Sequence, residues 1–186
     1  MINRLEATRY LVRQLSDEPI IASCGNPKFD LFTAAGDRKA NFYMWNSMGM
    51  ASSIGLGLAM ARPDKKVIIL DGDGALLMNL NSLTTAANKS PRNLIHIIWD
   101  NRAYQLTGGQ PSHTSEKANL EAIAKGAGFN KVLSVDTLTA FKEAISQILS
   151  EPGPWIVVVK TDSAGATGRP PKSPVYIKNR FMEALT

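Results

Sequence analysis

The sequence predicts an α/β fold with three layers, α/β/α, in which a mainly parallel central sheet lies between two layers of helices. Short apolar segments, such as those at 67–70 and 155–159, alternate along the chain with segments of helical periodicity. Strands that are apolar on both faces are typical of parallel sheets covered by helices on each side. The chain has 186 residues, of which 44% are hydrophobic, so we expect one domain, residues 1–186, with a full core.

The first half of the chain predicts three helices, one strand and one extended aromatic segment. In chain order these are a helix, an apolar run that turns at its end, a helix, the extended segment and a third helix, over residues 3–15, 19–27, 27–35, 41–49 and 48–61. Pro27 is expected near the first position of the second helix. The third helix has no charged residue and carries Ala51, Gly55 and Ala59 four apart. A helix that is apolar all round is buried, so we expect this one to be buried.

The second half of the chain continues the alternation of strands and helices. Strands are expected over residues 65–70, 93–99, 131–135 and 155–159, and helices over 75–89, 119–129 and 137–150. Asp136 or Thr137 is the expected N-cap of the last of these helices. A loop rich in Gly, Ser, Thr and Pro covers 101–116, and a C-terminal arm with a short helix covers about 161–186.

Composition excludes several classes of protein. The single cysteine, Cys24, rules out a disulfide framework and a Cys-based metal site and favours a reducing, cytoplasmic setting. No apolar run approaches the ~20 residues of a membrane span, and the first ten residues lack the apolar core of a signal peptide. The net charge of +5 comes from scattered basic residues, so we expect neither a nucleic-acid partner nor a membrane.

Polar turns at the ends of the predicted strands indicate where a ligand binds. In open parallel sheets, ligands bind at the carboxyl ends of the strands, where the strand order reverses. Three polar turns, at 24–26, 71–75 and 100–110, follow predicted strands, and a fourth polar segment, 45–49, precedes the apolar helix. We expect these four segments to converge on one site.

The turn LDGDGALLMN, residues 70–79, predicts a metal-bridged diphosphate. Gly72 and Gly74 let the backbone approach a ligand closely, and a helix beginning near Ala75 favours an anion. Asp73 would repel that anion unless a cation lay between them, and carboxylate and phosphate oxygens together suit Mg²⁺. Asp100-Asn101, at the end of the next strand, offers a further oxygen.

Two other interpretations of these glycines remain open at this point. A plain turn with capping aspartates is common for Asp-Gly pairs. A Rossmann dinucleotide site requires three glycines after a strand, whereas GLGLAM, residues 55–60, lies inside a predicted helix and lacks the third glycine. The P-loop pattern is absent from the sequence.

The spacing of the motif residues resembles that of thiamine-dependent enzymes. Gly72-Asp73-Gly74, an interval of 26 residues and Asn101 are similar to the thiamine diphosphate motif of the 2-oxoacid decarboxylases, in their diphosphate-binding domain. The resemblance extends from about residue 19 to the arm. The segments at 46–61, 70–80 and 107–111 look most like the sulfopyruvate and phosphonopyruvate decarboxylases within that family. The family often has Asn-Asn where this chain has Asp100-Asn101, and often Gly where it has Asn46.

The resemblance implies which residues bind the metal and the cofactor. Mg²⁺ would be held by Asp73, the side-chain amide of Asn101 and the backbone carbonyl of Ala103. The diphosphate would lie against Asn26, Gly72, Gly74 and Ala75. Met48 would support the bent cofactor, and the carbonyl of Asn46 would accept from its aminopyrimidine. The remaining positions that would line the cofactor and substrate pocket are Tyr104, Leu106 and Thr107.

The candidates for a direct part in the reaction are Met48, Gln110 and His113. Gln110 could donate to an anionic substrate or could merely shape its turn. His113 could donate a proton or bind a sulfonate or phosphonate, and a mobile surface histidine is the alternative. Two further residues are interpreted as structural, namely His96 inside its strand and Asp71 as a turn or capping residue.

The resemblance also implies a partner subunit. In this family a glutamate that activates the cofactor belongs to a separate pyrimidine-binding domain, and no part of the 186 residues matches it. We therefore expect a hetero-oligomer whose other chain supplies that glutamate. The expected substrate is a small anionic 2-oxoacid, with sulfopyruvate first. Phosphonopyruvate, acetolactate-synthase-like carboligation and a non-catalytic cofactor-binding subunit are the alternatives.

Overall fold

A computed structural model describes all 186 residues and contains the three layers that the sequence predicts. The helices are α1 (Arg4–Arg13), α2 (Asn26–Ala35), α3 (Ala51–Ala61), α4 (Asp73–Leu77), α5 (Asn81–Lys89), α6 (Leu120–Gly126), α7 (Leu138–Ser150) and α8 (Pro174–Glu183). The strands are β1 (Ile20–Ala22), β2 (Asn41–Tyr43), β3 (Val67–Gly72), β4 (Leu94–Asp100), β5 (Ala103–Tyr104), β6 (Gln110–Pro111), β7 (Val132–Val135) and β8 (Trp155–Lys160).

The central sheet has six strands in the order β2-β1-β3-β4-β8-β7, and every neighbouring pair is parallel. From β1 the chain passes to β2 on one side, and then returns to β3 on the other side of β1. The strand order therefore reverses between β1 and β3, and this is the point at which sheets of this kind bind ligands at their carboxyl ends. The remaining strands, β5 and β6, form a small antiparallel hairpin in the loop after β4.

The two faces of the sheet bury two separate apolar clusters. Alternate strand residues point to opposite faces, so Ile68 and Leu70 join one cluster whereas Val67 and Ile69 join the other. The first cluster is covered by α1, α2 and α7, and the second by α3, α5 and α6. Thr137 caps α7 by accepting from the backbone N–H of Ala140, as expected for one of the two candidate caps.

The helix expected over 75–89 is divided into α4 and α5, so that prediction is wrong. Residues 78–80 form a turn between the two helices. The side-chain amide of Asn79 donates to the backbone carbonyl of Gly49 at 2.8 Å, and the backbone carbonyl of Asn79 accepts from the Ser82 hydroxyl at 2.7 Å. Asn side chains that bond to backbone groups compete with helix formation, which explains the break. Residues 41–49 also differ from expectation, because β2 ends at Tyr43.

Helix α3 is buried on one side only, contrary to the expectation that it is buried all round. Ala51, Gly55 and Ala59 pack against the sheet. On the opposite side Ile54 is 37% exposed and Met60 is 52% exposed, because no other element of this chain covers them. Met48 and Met50, which precede α3, and Met78, which lies beside Gly49, are also exposed. Exposed apolar patches mark interaction sites.

The C-terminal arm folds back onto its own chain. Helix α8 lies against the edge strand β2, where Phe181 contacts Phe42 with ring centroids 5.3 Å apart. Arg180 is buried and donates to the carbonyl of Asn41. Residues 163–171 pass over α1 and α2, and Arg4, itself ion-paired with Asp30, donates to the carbonyl of Ala164. None of the eight α-helices combines the length and the apolar character needed to cross a bilayer.

Two glycines of α3 offer a matched test of the packing against β3. A Cβ atom at Gly55 would overlap the side chain of Ile69, whereas one at Gly57 would meet nothing within 4 Å. We expect Gly55→Ala to lower the free energy of unfolding by about 1–3 kcal/mol through overpacking. Gly57→Ala should raise it by about 0.5–1 kcal/mol, because alanine favours the helix.

Urea unfolding of the full chain, followed by circular dichroism, measures both changes. Equal midpoints for the two variants would contradict the close approach of α3 to β3.

Candidate functional site

The carboxyl ends of β1 and β3 open into a cavity of about 350 Å³, within the size range of small-molecule sites. The four polar segments expected to converge do meet there, since residues from 23–27, 45–48, 72–75 and 101–107 form its wall. Every residue that the sequence assigned to the cofactor or the metal lines this cavity, namely Asn26, Asn46, Met48, Gly72, Asp73, Gly74, Ala75, Asn101, Ala103, Tyr104, Leu106 and Thr107.

Two of the three candidate catalytic residues lie outside the cavity wall. Gln110 is in β6 and His113 begins a short 3-10 helix, and both are exposed. The side chain of Gln110 lies beside Gly108, within the hairpin loop. Met48 does line the cavity, at its exposed rim. The structure thus brings together the residues assigned to the cofactor but not those assigned to an anionic substrate.

Asp73 is a buried carboxylate without a cationic partner. It opens α4, is 2% exposed and forms no ion pair. Its Oδ2 accepts from the Ser112 hydroxyl at 2.5 Å and lies 3.2 Å from the Thr114 hydroxyl. Burial raises the pKa of the Asp73 carboxyl, the charge on Asp100 raises it further, and the Ser112 hydroxyl lowers it. A buried carboxylate of this kind is stabilised either by a bound cation or by protonation.

Asp100, by contrast, has its charge compensated within the chain. It is fully buried at the end of β4, and its Oδ2 is ion-paired with Lys160 at the end of β8. Its Oδ1 accepts from the Thr114 hydroxyl at 2.7 Å and from the backbone N–H of Arg102 at 3.2 Å. Asp100 is therefore a buried charge that has its counter-ion within the chain.

The oxygen atoms around the Asp73 side of the cavity suit Mg²⁺. The oxygen atoms that could bind a metal ion are those of the Asp73 carboxylate, the Asn101 amide and the Ala103 carbonyl, and all three residues line the cavity. Hard cations such as Mg²⁺ prefer oxygen donors of this kind. No group of three or more His, Cys, Asp or Glu residues suited to a metal occurs in the structure.

Gln105 connects Asn26, Asn101 and the C-terminal arm, and no sequence pattern predicts this role. Its Oε1 accepts from the amide nitrogens of Asn26, at 2.6 Å, and Asn101, at 3.1 Å. Its own amide nitrogen donates to the carbonyl of Ser163 in the C-terminal arm. Because both asparagines turn their NH₂ groups towards Gln105, their amide oxygens are fixed in orientation. Its place four residues after Asn101 was the only signal in the sequence.

The two glycines of the motif have different environments. A Cβ atom at Gly74 would overlap the ring of Tyr104, so this position requires glycine for the close contact. A Cβ atom at Gly72 would meet nothing within 4 Å, because this part of the backbone borders the open cavity. The free space beside Gly72 is thus where an anion could approach the start of α4.

Asp71 does not belong to the turn, contrary to the interpretation from sequence. It is a fully buried residue of β3, and its Oδ1 accepts from the backbone N–H of Gly72 at 3.0 Å. Its Oδ2 lies 3.4 Å from Nε2 of His96, which is buried on the neighbouring strand β4. Asp71 and His96 therefore form a polar pair inside the core, and the structural interpretation of His96 is consistent with this position.

Cys24 lines the cavity and is partly buried. Burial raises the pKa of its thiol above the ordinary value. The protonated thiol is a weak nucleophile, so Cys24 is a wall residue of the site rather than an activated group.

Comparison with known sequences identifies the domain. Residues 28–159 match the family described as "Thiamine pyrophosphate enzyme, C-terminal TPP binding domain". The chain is 41% identical to the sulfopyruvate decarboxylase subunit beta of Methanocaldococcus jannaschii, over 98% of this chain and 96% of that subunit. It is 33% identical to the phosphonopyruvate decarboxylase of Streptomyces viridochromogenes, over 98% of this chain but only 46% of that longer protein.

Solved structures show the same fold at lower identity. A putative thiamin diphosphate-dependent enzyme from Mycobacterium smegmatis superposes with a TM-score of 0.75 at 19% identity, over 87% of this chain and 32% of its own. Benzoylformate decarboxylase from Polynucleobacter necessarius superposes with a TM-score of 0.76 at 17% identity, over 88% and 34%. From the fold, the cavity and these matches together, the chain belongs to the thiamine pyrophosphate enzymes, in the family of their C-terminal TPP binding domain.

Proposed function

We propose that this chain is the cofactor-binding subunit of a thiamine diphosphate- and Mg²⁺-dependent decarboxylase that converts sulfopyruvate to sulfoacetaldehyde and carbon dioxide. The observation that carries the proposal is the uncompensated buried carboxylate of Asp73, at the strand-order reversal of a sheet that belongs to this family. The choice of substrate is supported by relatives that are 41% and 36% identical over nearly the whole chain and are named sulfopyruvate decarboxylase subunit beta.

The proposed metal site consists of Asp73, the amide oxygen of Asn101 and the carbonyl of Ala103. Bound Mg²⁺ would supply the positive charge that Asp73 lacks and would attach a diphosphate to the protein. The N–H groups of Gly74 and Ala75, at the start of α4, are the proposed donors to the diphosphate, and Gly72 leaves space for it. Asn26, whose orientation Gln105 fixes, is a further proposed contact to the diphosphate.

The rest of the cavity is proposed to orient the organic part of the cofactor. Met48 would support it, the carbonyl of Asn46 would accept from its amino group, and Tyr104, Leu106 and Thr107, which also line the cavity, would lie beside it. When bound, thiamine diphosphate supplies the electron sink for loss of carbon dioxide from a 2-oxoacid. Gln110 and His113 stay candidates for contact with the substrate, on a loop outside the cavity wall.

A partner subunit with a pyrimidine-binding domain is proposed to complete the site. Relatives of matching length are named subunit beta, whereas this chain covers less than half of the phosphonopyruvate decarboxylases. Met48 at the rim of the cavity, Ile54 on α3, and Met50 and Met78 are exposed apolar side chains. Such a surface fits a protein partner that lies over the site and brings the activating glutamate.

Phosphonopyruvate decarboxylation is the second candidate function. It is supported by relatives 33% and 35% identical over 98% of this chain, and the two substrates differ only in the anion attached to the same oxoacid.

Co-expression with the partner, followed by assays for aldehyde from sulfopyruvate, phosphonopyruvate and pyruvate, separates the candidates. We expect sulfopyruvate to give the highest kcat/KM and the chain alone to be inactive. Full turnover by the chain alone would contradict the proposed partner.

The metal assignment predicts the effect of removing the carboxylate charge of Asp73. Asp73→Asn should weaken Mg²⁺-dependent cofactor binding by the complex roughly 100-fold or more, since loss of even an outer partner of a metal site costs 10–100-fold. Isothermal titration of thiamine diphosphate at fixed Mg²⁺ measures this. Asp64→Asn removes the same charge from an exposed site and serves as the control. Unchanged binding by Asp73→Asn would overturn the metal assignment.

The position of Cys24 predicts protection by the bound cofactor. Because Cys24 is the only cysteine of the chain and lines the cavity, its alkylation by iodoacetamide reports on the cavity alone. Alkylation should accelerate as the pH rises towards the raised pKa of the thiol. Thiamine diphosphate with Mg²⁺ should slow alkylation, whereas either component alone should not. Mass spectrometry of the peptide that contains Cys24 measures the rate, and equal rates in all samples would refute cofactor binding here.

A further inference from the structure

The loop after β4 buries two hydroxyl groups beside the proposed metal ligand. Between residues 110 and 116, Ser112 and Thr114 are buried, 2% and 7% exposed, whereas the residues on either side of each are exposed. Neither side chain belongs to the apolar clusters, and neither lines the cavity. Both hydroxyls lie within hydrogen-bond distance of the Asp73 carboxylate, and that of Thr114 also contacts Asp100.

Both hydroxyls lie within hydrogen-bond distance of one oxygen of the Asp73 carboxylate. Ser112 Oγ donates to Oδ2 at 2.5 Å, and Thr114 Oγ1 lies 3.2 Å from the same atom. The two hydroxyls are 2.9 Å from each other. Because a hydroxyl carries a single proton, Thr114 donates to its nearer partner, Asp100 Oδ1 at 2.7 Å, and Ser112 supplies the proton to Asp73. Both hydroxyls contact Oδ2, and the backbone N–H of Gly74 is a further donor to the carboxylate.

The same two residues also connect Asp73 to the segment that carries the other proposed ligands. The backbone N–H of Ser112 donates to the carbonyl of Arg102 at 2.9 Å, and Ala103 pairs with Pro111 in the β5–β6 hairpin. At the other end, Thr114 is anchored to Asp100, which Lys160 neutralises. The hydroxyls thus fix the carboxylate relative to Asn101 and Ala103, which lie on the connected loop.

We propose that Ser112 and Thr114 are positioning residues of the magnesium site, which set the orientation of the Asp73 carboxylate and its distance from Asn101 and Ala103. This inference rests on the proposed function. Loss of the Ser112 hydroxyl removes the hydrogen bond to Asp73 Oδ2. Loss of the Thr114 hydroxyl removes the hydrogen bond to Asp100 Oδ1 and the polar contact that keeps Ser112 in place. The metal affinity falls as a result, although none of the ligands has been removed.

The test measures the Mg²⁺ concentration that gives half-maximal protection of Cys24 from iodoacetamide, with saturating thiamine diphosphate and the assembled complex. Thr114→Val and Ser112→Ala should each raise this concentration roughly 10–100-fold, the usual cost of losing an outer partner of a metal ligand. Thr114→Ser restores the hydroxyl and should stay close to the wild-type value. Ser115→Ala is the control, because that hydroxyl donates only to the Ser112 carbonyl.

The shape of the titration separates positioning from damage to the fold. A positioning role moves the midpoint and leaves full protection attainable at high Mg²⁺, whereas a misfolded variant is never protected. A wild-type midpoint for Thr114→Val would overturn the inference, as would equal shifts for Thr114→Val and Thr114→Ser. If the wild-type complex itself shows no Mg²⁺-dependent protection, the proposed function fails first. Protection of the wild type with unchanged variants refutes the positioning role alone.

Discussion

The site depends on the burial of a carboxylate that the chain does not neutralise. Taking a charge out of water costs several kcal/mol unless it is paired, and Asp73 is 2% exposed without a counter-ion. The surrounding structure responds in two ways. The Ser112 hydroxyl donates to one carboxylate oxygen and the Thr114 hydroxyl lies beside it, and residues with an amide and a carbonyl oxygen line the same cavity. Amide and carbonyl oxygens have no proton to donate, so they stabilise a nearby buried carboxylate only when a cation is shared among them.

Comparison of three buried aspartates shows why only one of them is suited to a metal. Asp71 lies beside His96 within the core, and Asp100 is ion-paired with Lys160, so each has a partner from the neighbouring strand. Asp73 comes one residue after β3 ends, where no neighbouring strand can supply a partner, and it faces the cavity instead. The function of each carboxylate follows from its position relative to the sheet rather than from the residue type.

Local patterns predicted the strands and the cavity wall because both depend on short segments. Apolar runs identify β3, β4 and β8, and parallel packing then brings the turns that follow them to one edge. The partners of those turns could not be predicted, because they depend on contacts between distant residues. Ser112 and Thr114 meet Asp73 across 39 and 41 residues, and Lys160 meets Asp100 across 60. For the same reason, the contact of Asn79 with Gly49, which divides the expected helix, has no local signature.

The apolar character of α3 exceeds what this chain alone requires. Ala51, Gly55 and Ala59 account for the side that packs on the sheet, yet Ile54 and Met60 on the other side are exposed. A helix of a protein that works alone would carry polar residues there. Covering apolar surface contributes about 25 cal/mol per Å² to association, so a partner over this helix would gain affinity beside the cavity. The sequence of α3 is therefore better explained by a helix buried in an assembly, which is the arrangement that a cofactor shared between two subunits would need.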